Sequence, residues 1–201
     1  MEKILITGTG RCGTTFLMKL LSFLGLDTGF TRYNYKDAIF TNCNSGLERQ
    51  YDEPYSILKN PSFISEINSI LKKEIIKLVI LPIRDLQASA LSRMKYHGCG
   101  GLWNAHDEES QILYYHRILS EYMCIMTKHD IPTLFLDFDN MITDKQYLFD
   151  KLNPLLEGIT FDTFCQVYDE VSESSRPASL LIREPFFHQP ELSYEGGFDD
   201  P

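Results

Sequence analysis

The chain has 201 residues, is 43% hydrophobic and 23% charged, and carries a formal net charge of −9. That length supports one well-buried core, and the composition is that of a globular protein rather than a disordered one. The acidic balance disfavours nucleic acid or a polyanionic sugar chain as a general partner, because the long-range field repels both, yet a small anion needs only a local cluster of donors.

Lys3 to Thr7 (KILIT) reads as an apolar strand ending at Gly8. A glycine-rich turn follows, and Thr14 to Leu24 reads as a helix, with Phe16, Leu17, Leu20, Leu21 and Leu24 at helical spacing. Residues 27–54 are polar, aromatic and irregular, and are expected to form a long excursion with little regular structure; such loops are often functional. Tyr55 to Leu58 reads as a second strand, followed by Lys59-Asn60-Pro61 and a helix from Ser62 to Lys72. The run Ile75 to Ile83 (IIKLVILPI) has the continuous apolarity of a buried parallel strand. Arg84 closes it, and a helix continues to about Tyr96.

His97 to Ala105 reads as a loop with three glycines and the single tryptophan, Trp103. Glu108 to Lys128 predicts a long helix, Thr133 to Asp137 (TLFLD) another buried strand, and two further helices are expected near Lys145 to Leu155 and Phe161 to Val171. Strands alternating with helices predict an α/β fold: a three-layer arrangement with a mainly parallel sheet flanked by helices and right-handed crossovers. The expected organisation is a single domain over 1–201, with a core at about 3–155 and a helical and irregular C-terminal wrap over 156–201. Ligands of such sheets bind beyond the carboxyl ends of the strands.

The expected location is cytoplasmic. No apolar run reaches membrane-spanning length, and Met1-Glu2-Lys3 leads into a strand without a secretory pattern. The five cysteines, at 12, 43, 99, 124 and 165, are odd in number and show no CxxC spacing, which predicts reduced thiols rather than a zinc site or a disulfide framework.

The segment Gly8 to Thr15 (GTGRCGTT) lies between a strand and a helix. Its glycines, Gly8, Gly10 and Gly13, let the backbone turn and aim N–H groups inward. The following helix adds unpaired N–H groups and its positive dipole end. Thr14 and Thr15 add hydroxyls, and Arg11 adds a planar cationic fork suited to phosphate oxygens. Gly8 and Gly13 match a Walker A loop, but Thr14 stands in place of its lysine, which weakens a nucleoside-triphosphate reading. Asp137, at a strand end, could imitate a Walker B acid.

The run Arg11-Cys12-Gly13-Thr14-Thr15-Phe16 resembles the 5′-phosphosulfate loop of the sulfotransferase family: a basic residue, a small residue, Gly, Thr or Ser, Thr, and an aromatic. Arg84 and Ser92, eight residues apart in IRDLQASALSRM, are similar to the Arg and Ser with which that family binds a 3′-phosphate. The segments LKNP at Leu58 to Pro61 and FLDFDNM at Phe135 to Met141 extend the likeness over roughly residues 3–155. The resemblance implies a P-loop nucleoside triphosphate hydrolase-like fold and the donor 3′-phosphoadenosine-5′-phosphosulfate (PAPS), with 3′-phosphoadenosine 5′-phosphate (PAP) as product and no metal required. It implies cofactor binding by Gly10, Arg11, Cys12, Gly13, Thr14, Thr15, Phe16, Arg84 and Ser92, and catalysis by Arg11 and Lys59. The acceptor would be a hydroxyl or amine of a small molecule or side chain, without nucleic acid or a membrane span.

The general base is open among His97, His106, Glu48, Asp52 and Glu53. The cytosolic branch of the family carries a His two residues after the strand-end lysine, where this chain has Pro61. Trp103, Tyr114 and Tyr115 could stack on a base or line the core, Ser89 could simply pack, and Arg176 and Arg183 could close over the cofactor. Two other readings stay open: a P-loop small-molecule or nucleotide kinase, and a non-catalytic nucleotide-binding module.

Overall fold

In the computed structural model the described residues are 1–40, 42–43, 45–96 and 101–175. Four parallel strands form the main sheet in the order β4-β1-β5-β6: β1 (Glu2–Ile6), β4 (Ile57–Lys59), β5 (Ile75–Ile83) and β6 (Thr133–Asp137). In register, Ile6 faces Lys59 and Leu5 faces Val79, so the ends of β4 and β1 open side by side.

Alternation along each strand sends side chains to two separate cores. Ile4, Ile6, Ile57, Ile80 and Leu136 pack on one face with α1 (Thr14–Phe23), α5 (Phe138–Thr143), α6 (Lys145–Leu152) and α7 (Phe161–Ser175). Leu5, Leu58, Ile76, Val79 and Leu81 pack on the other with α2 (Phe63–Ile70) and α4 (Glu108–His129), and Ala90 of α3 (Leu86–Lys95) joins them. The result is a three-layer α/β arrangement with a parallel sheet in the middle, as the alternating pattern predicts.

The chain leaves β1 for β4 on one side, then crosses to β5 on the other side of β1. Its helices α1 and α2 therefore lie on opposite faces, which opens a crevice beyond the carboxyl ends of β1 and β5.

Three features differ from the expectation. The excursion over 27–54 contains a 3₁₀ turn (Tyr35–Ala38) and a two-stranded antiparallel hairpin, β2 (Ile39–Phe40) with β3 (Ser45–Gly46). Strands of two residues carry no readable periodicity. Helix α5 begins directly at the end of β6, because the Asp137 carboxylate caps it by accepting from Asn140 N at 2.8 Å. Cys43 is disulfide-bonded, which corrects the expectation of reduced thiols; Cys12, Cys124 and Cys165 are free. A pairing made by tertiary contact leaves no signal in local spacing. Among the described residues no helix is long and apolar enough to cross a membrane.

Candidate functional site: a cationic cleft at the carboxyl ends of the strands

The turn between β1 and α1 is built around the buried Cys12, and Gly13 supplies the N-cap of α1 at φ 86°. A side chain there would be strained by the left-handed backbone, and its Cβ would lie 2.4 Å from Met141 Cε. Without a side chain at the cap, the first-turn N–H groups of α1 stay available to an anion. Arg11 also has a left-handed backbone, φ 58°, unusual for a residue with a side chain. Arg84 holds it there: Arg84 Nη1 donates to Arg11 O at 2.9 Å. Strain of this kind, fixed by surrounding contacts, gathers at ligand sites.

That conformation swings the Arg11 guanidinium toward α3. Its Nε donates to Ser92 Oγ at 3.1 Å, and its Nη1 donates to Cys43 O at 2.7 Å. The ring of Tyr96 lies 4.8 Å away on its flank. Arg11, Arg84 and Ser92 thus meet at one place, although they come from two separate sequence motifs.

Lys59 ends β4 with only 1% of its surface exposed. Its ammonium donates to Thr15 Oγ1 at 3.2 Å, Gly46 O at 2.7 Å and Glu48 Oε1 at 2.6 Å. Burial pulls the Lys59 pKa below the ordinary lysine value, and the Glu48 carboxylate opposes that fall. The hairpin β2–β3 brings Gly46 and Glu48 to this point, and Thr15 links the cluster to the glycine loop.

Arg11, Gly13, Thr15, Glu48, Lys59, Arg84 and Ser92 line one cavity of about 900 Å³. It reaches from Ser92, Tyr96 and Trp103 at one end, past Gly10 to Phe16, to Lys19, Ser172 and Ser174 at the other. Among the described residues six cationic side chains line it, Arg11, Lys19, Lys36, Lys59, Arg84 and Arg93, against one carboxylate, Glu48. In a chain of net charge −9, that local excess of positive charge suits an anionic ligand. Lys19 is drawn toward its neutral form by burial, with Glu170 opposing, and its ammonium lies 4.7 Å over the Tyr35 ring.

The structure separates the other candidates. Glu48 faces the cavity. Glu53 instead pairs with Arg49 at 2.9 Å and lies away from the cavity. His106 is 86% exposed beside Asp107, also away from it; it sits just before the capping box that starts α4, so the chain there faces solvent. Burial pushes the Cys12 thiol up, leaving it protonated and inert. Asp137 is occupied as a helix cap rather than aimed at a phosphate. Ser89 is buried, and Tyr115 belongs to the core. His97, Arg176 and Arg183 lie outside the described residues.

Sequence reasoning overlooked Arg93, Lys19 and Lys36. Arg93 and Lys19 look like solvated charges on helices of mixed polarity, and only their burial reveals them. A scan against protein-family models finds no match to the chain, and no curated protein matches it significantly.

Proposed function

We propose that the chain binds a 3′,5′-bisphosphorylated adenosine in this cleft and acts as a PAPS-dependent sulfotransferase. The observation that carries the reading is the convergence of Arg11, Arg84 and Ser92 in one cavity. Two anion-binding motifs, remote in sequence, lie close enough to hold opposite ends of one small molecule. A glycine-rich turn serving only the backbone would not require cations from α1, β4 and α3 to face the same space.

The residues fit such a ligand. The uncapped first turn of α1, with Gly10, Arg11, Cys12, Gly13, Thr14 and Thr15, would take the 5′-phosphate, as a P-loop-like turn does. Arg84 and Ser92 would take the 3′-phosphate, and Phe16, on the rim of the cavity, offers a ring face to the base. When bound, PAPS supplies the sulfuryl group that passes to an acceptor hydroxyl or amine.

The chain's own groups have two tasks. Lys59 and Arg11 place fixed positive charge where negative charge would grow on the leaving oxygens, and their prior positioning makes that stabilisation effective. The acceptor must also lose a proton. Glu48 is the carboxylate among the described residues that lines the cavity, and its 2.6 Å contact with Lys59 would hold it beside the reacting region. It is our assignment for the base.

The test is thermal unfolding with nucleotide and without magnesium. PAP in chelator should raise the midpoint in a concentration-dependent way, because a ligand of the native state stabilises it by mass action. Stabilisation by magnesium-ATP alone would instead favour a kinase. PAP binding without sulfate release from PAPS in any acceptor screen would leave a binding module.

A further inference from the structure

Of the six arginines among the described residues, Arg32, Arg49 and Arg117 pair with glutamates. Among the described residues Arg11, Arg84 and Arg93 pair with no carboxylate, and all three line the cavity. Arg93 is the extreme case. It is only 5% exposed, and its guanidinium carbon lies over the Trp103 ring, 3.6 Å from the ring centre. It donates from Nη1 to Gly101 O, while its buried Nε finds no acceptor. Burial pushes the neighbouring Tyr115 hydroxyl up to about 12, so that group stays neutral and supplies no counter-charge.

A guanidinium remains charged in a protein. Burying it without an anion is costly, and stacking on an aromatic ring offsets only part of that cost. The position therefore lacks a negative partner, and the cavity is where one can come from. Gly10 shows how closely the fork approaches the loop: a Cβ at that position would lie 2.3 Å from Arg93 Nη2. Arg93 follows Ser92 on α3, and both line the same cavity as Gly10 and Arg84.

We infer that Arg93 is a third guanidinium of the anion site, binding the same phosphate as Arg84 and Ser92 from the Gly10 side. The proposal rests on the bisphosphate reading above for the identity of the ligand, but not for the need of an anion. It makes the 3′-phosphate end a three-armed clamp of Arg84, Ser92 and Arg93, with Arg93 held in place by Trp103. It also gives the single tryptophan a reporting position, in contact with a group that changes partner when an anion binds.

The experiment measures PAP and adenosine 5′-phosphate binding by calorimetry for wild type, Arg93→Lys and Arg93→Met, with Trp103 emission followed in parallel. Arg93→Met should weaken PAP about ten- to a hundredfold and adenosine 5′-phosphate by less than about threefold, as for the loss of one charge-assisted bond to the 3′-phosphate. Arg93→Lys should recover part of the loss. PAP should change Trp103 emission in wild type at the concentration where heat is released. Equal losses for both nucleotides in Arg93→Met, or no loss at all, would overturn the assignment and leave Arg93 as a support for the 101–103 segment.

Should Arg93→Met fail to fold, the wild-type emission and Arg93→Lys decide: a saturable emission change and a selective loss of PAP affinity support the clamp, and absence of either overturns it. Should wild type bind no PAP, the bisphosphate reading fails by itself, and inorganic pyrophosphate becomes the probe. A pyrophosphate-induced emission change that Arg93→Lys weakens would keep the anion site, and no change would remove it.

Discussion

Arg11 Nε donates to Ser92 Oγ at 3.1 Å, across 81 positions of sequence. The contact joins the glycine loop after β1 to the helix after β5, and Arg84 doubles the link by donating to the carbonyl of Arg11. If both motifs hold the proposed nucleotide, changes at one should be felt selectively at one end of it.

Arg84→Ala is the sharpest test of that selectivity. Removing one charge-assisted contact should weaken PAP about ten- to a hundredfold, while adenosine 5′-phosphate changes by less than about threefold. Calorimetry on both nucleotides measures the ratio. Equal losses would mean that Arg84 serves only the backbone of the loop.

The Glu48–Lys59 pair predicts a shift in pH dependence. Burial lowers the Lys59 pKa and Glu48 raises it again. In Glu48→Gln the opposing charge is gone, so Lys59 loses its proton at lower pH than in wild type. The alkaline limb of sulfate release from PAPS, with water standing in for the acceptor, should move to lower pH. If Glu48 also takes the acceptor's proton, the plateau should fall by about 10²–10⁴. A lower plateau with an unmoved limb would separate Glu48 from Lys59, and a moved limb with an unchanged plateau would remove it as the base.

Gly13→Ala should destabilise the fold. The left-handed backbone alone costs a side chain about 1–2 kcal/mol, and the Cβ contact with Met141 adds to it. Chemical denaturation measures the loss. A neutral result would show that the loop relaxes and does not hold its shape through this turn.

Cys12 and Cys124 should differ in reactivity. Cys12 is buried in the loop with its pKa raised by burial, whereas Cys124 is exposed on α4. Native-state alkylation, followed by mass spectrometry, should mark Cys124 and leave Cys12 until the protein unfolds. Rapid labelling of Cys12 would make the loop a mobile segment.

Much of this arrangement was legible in the residues. Apolar runs at 3–7, 75–83 and 133–137 correspond closely to β1, β5 and β6; β1 and β5 lie inside the sheet, as continuous apolar runs predict, whereas β6 is an edge strand in which only Leu136 is buried, which corrects the expectation of a buried strand there. The glycine spacing at 8, 10 and 13 marked the loop, since a tight turn with inward N–H groups restricts residue choice locally. What stayed hidden depends on contacts between distant segments. Glu48 resembled Glu53 until the hairpin at 39–46 placed it against Lys59. Arg93 resembled a solvated helix residue until α3, Gly10 and Trp103 closed around it. Charge in a sequence says nothing of tertiary surroundings: burial singles out Arg93, and the contact with Lys59 singles out Glu48.

The most direct measurement is calorimetric titration of the wild-type protein with PAP and with adenosine 5′-phosphate, both in chelator. The account predicts one saturable site per chain that prefers PAP by about tenfold or more, as expected for the added phosphate contacts of Arg84 and Ser92. Equal affinities, or no binding of PAP, would contradict it.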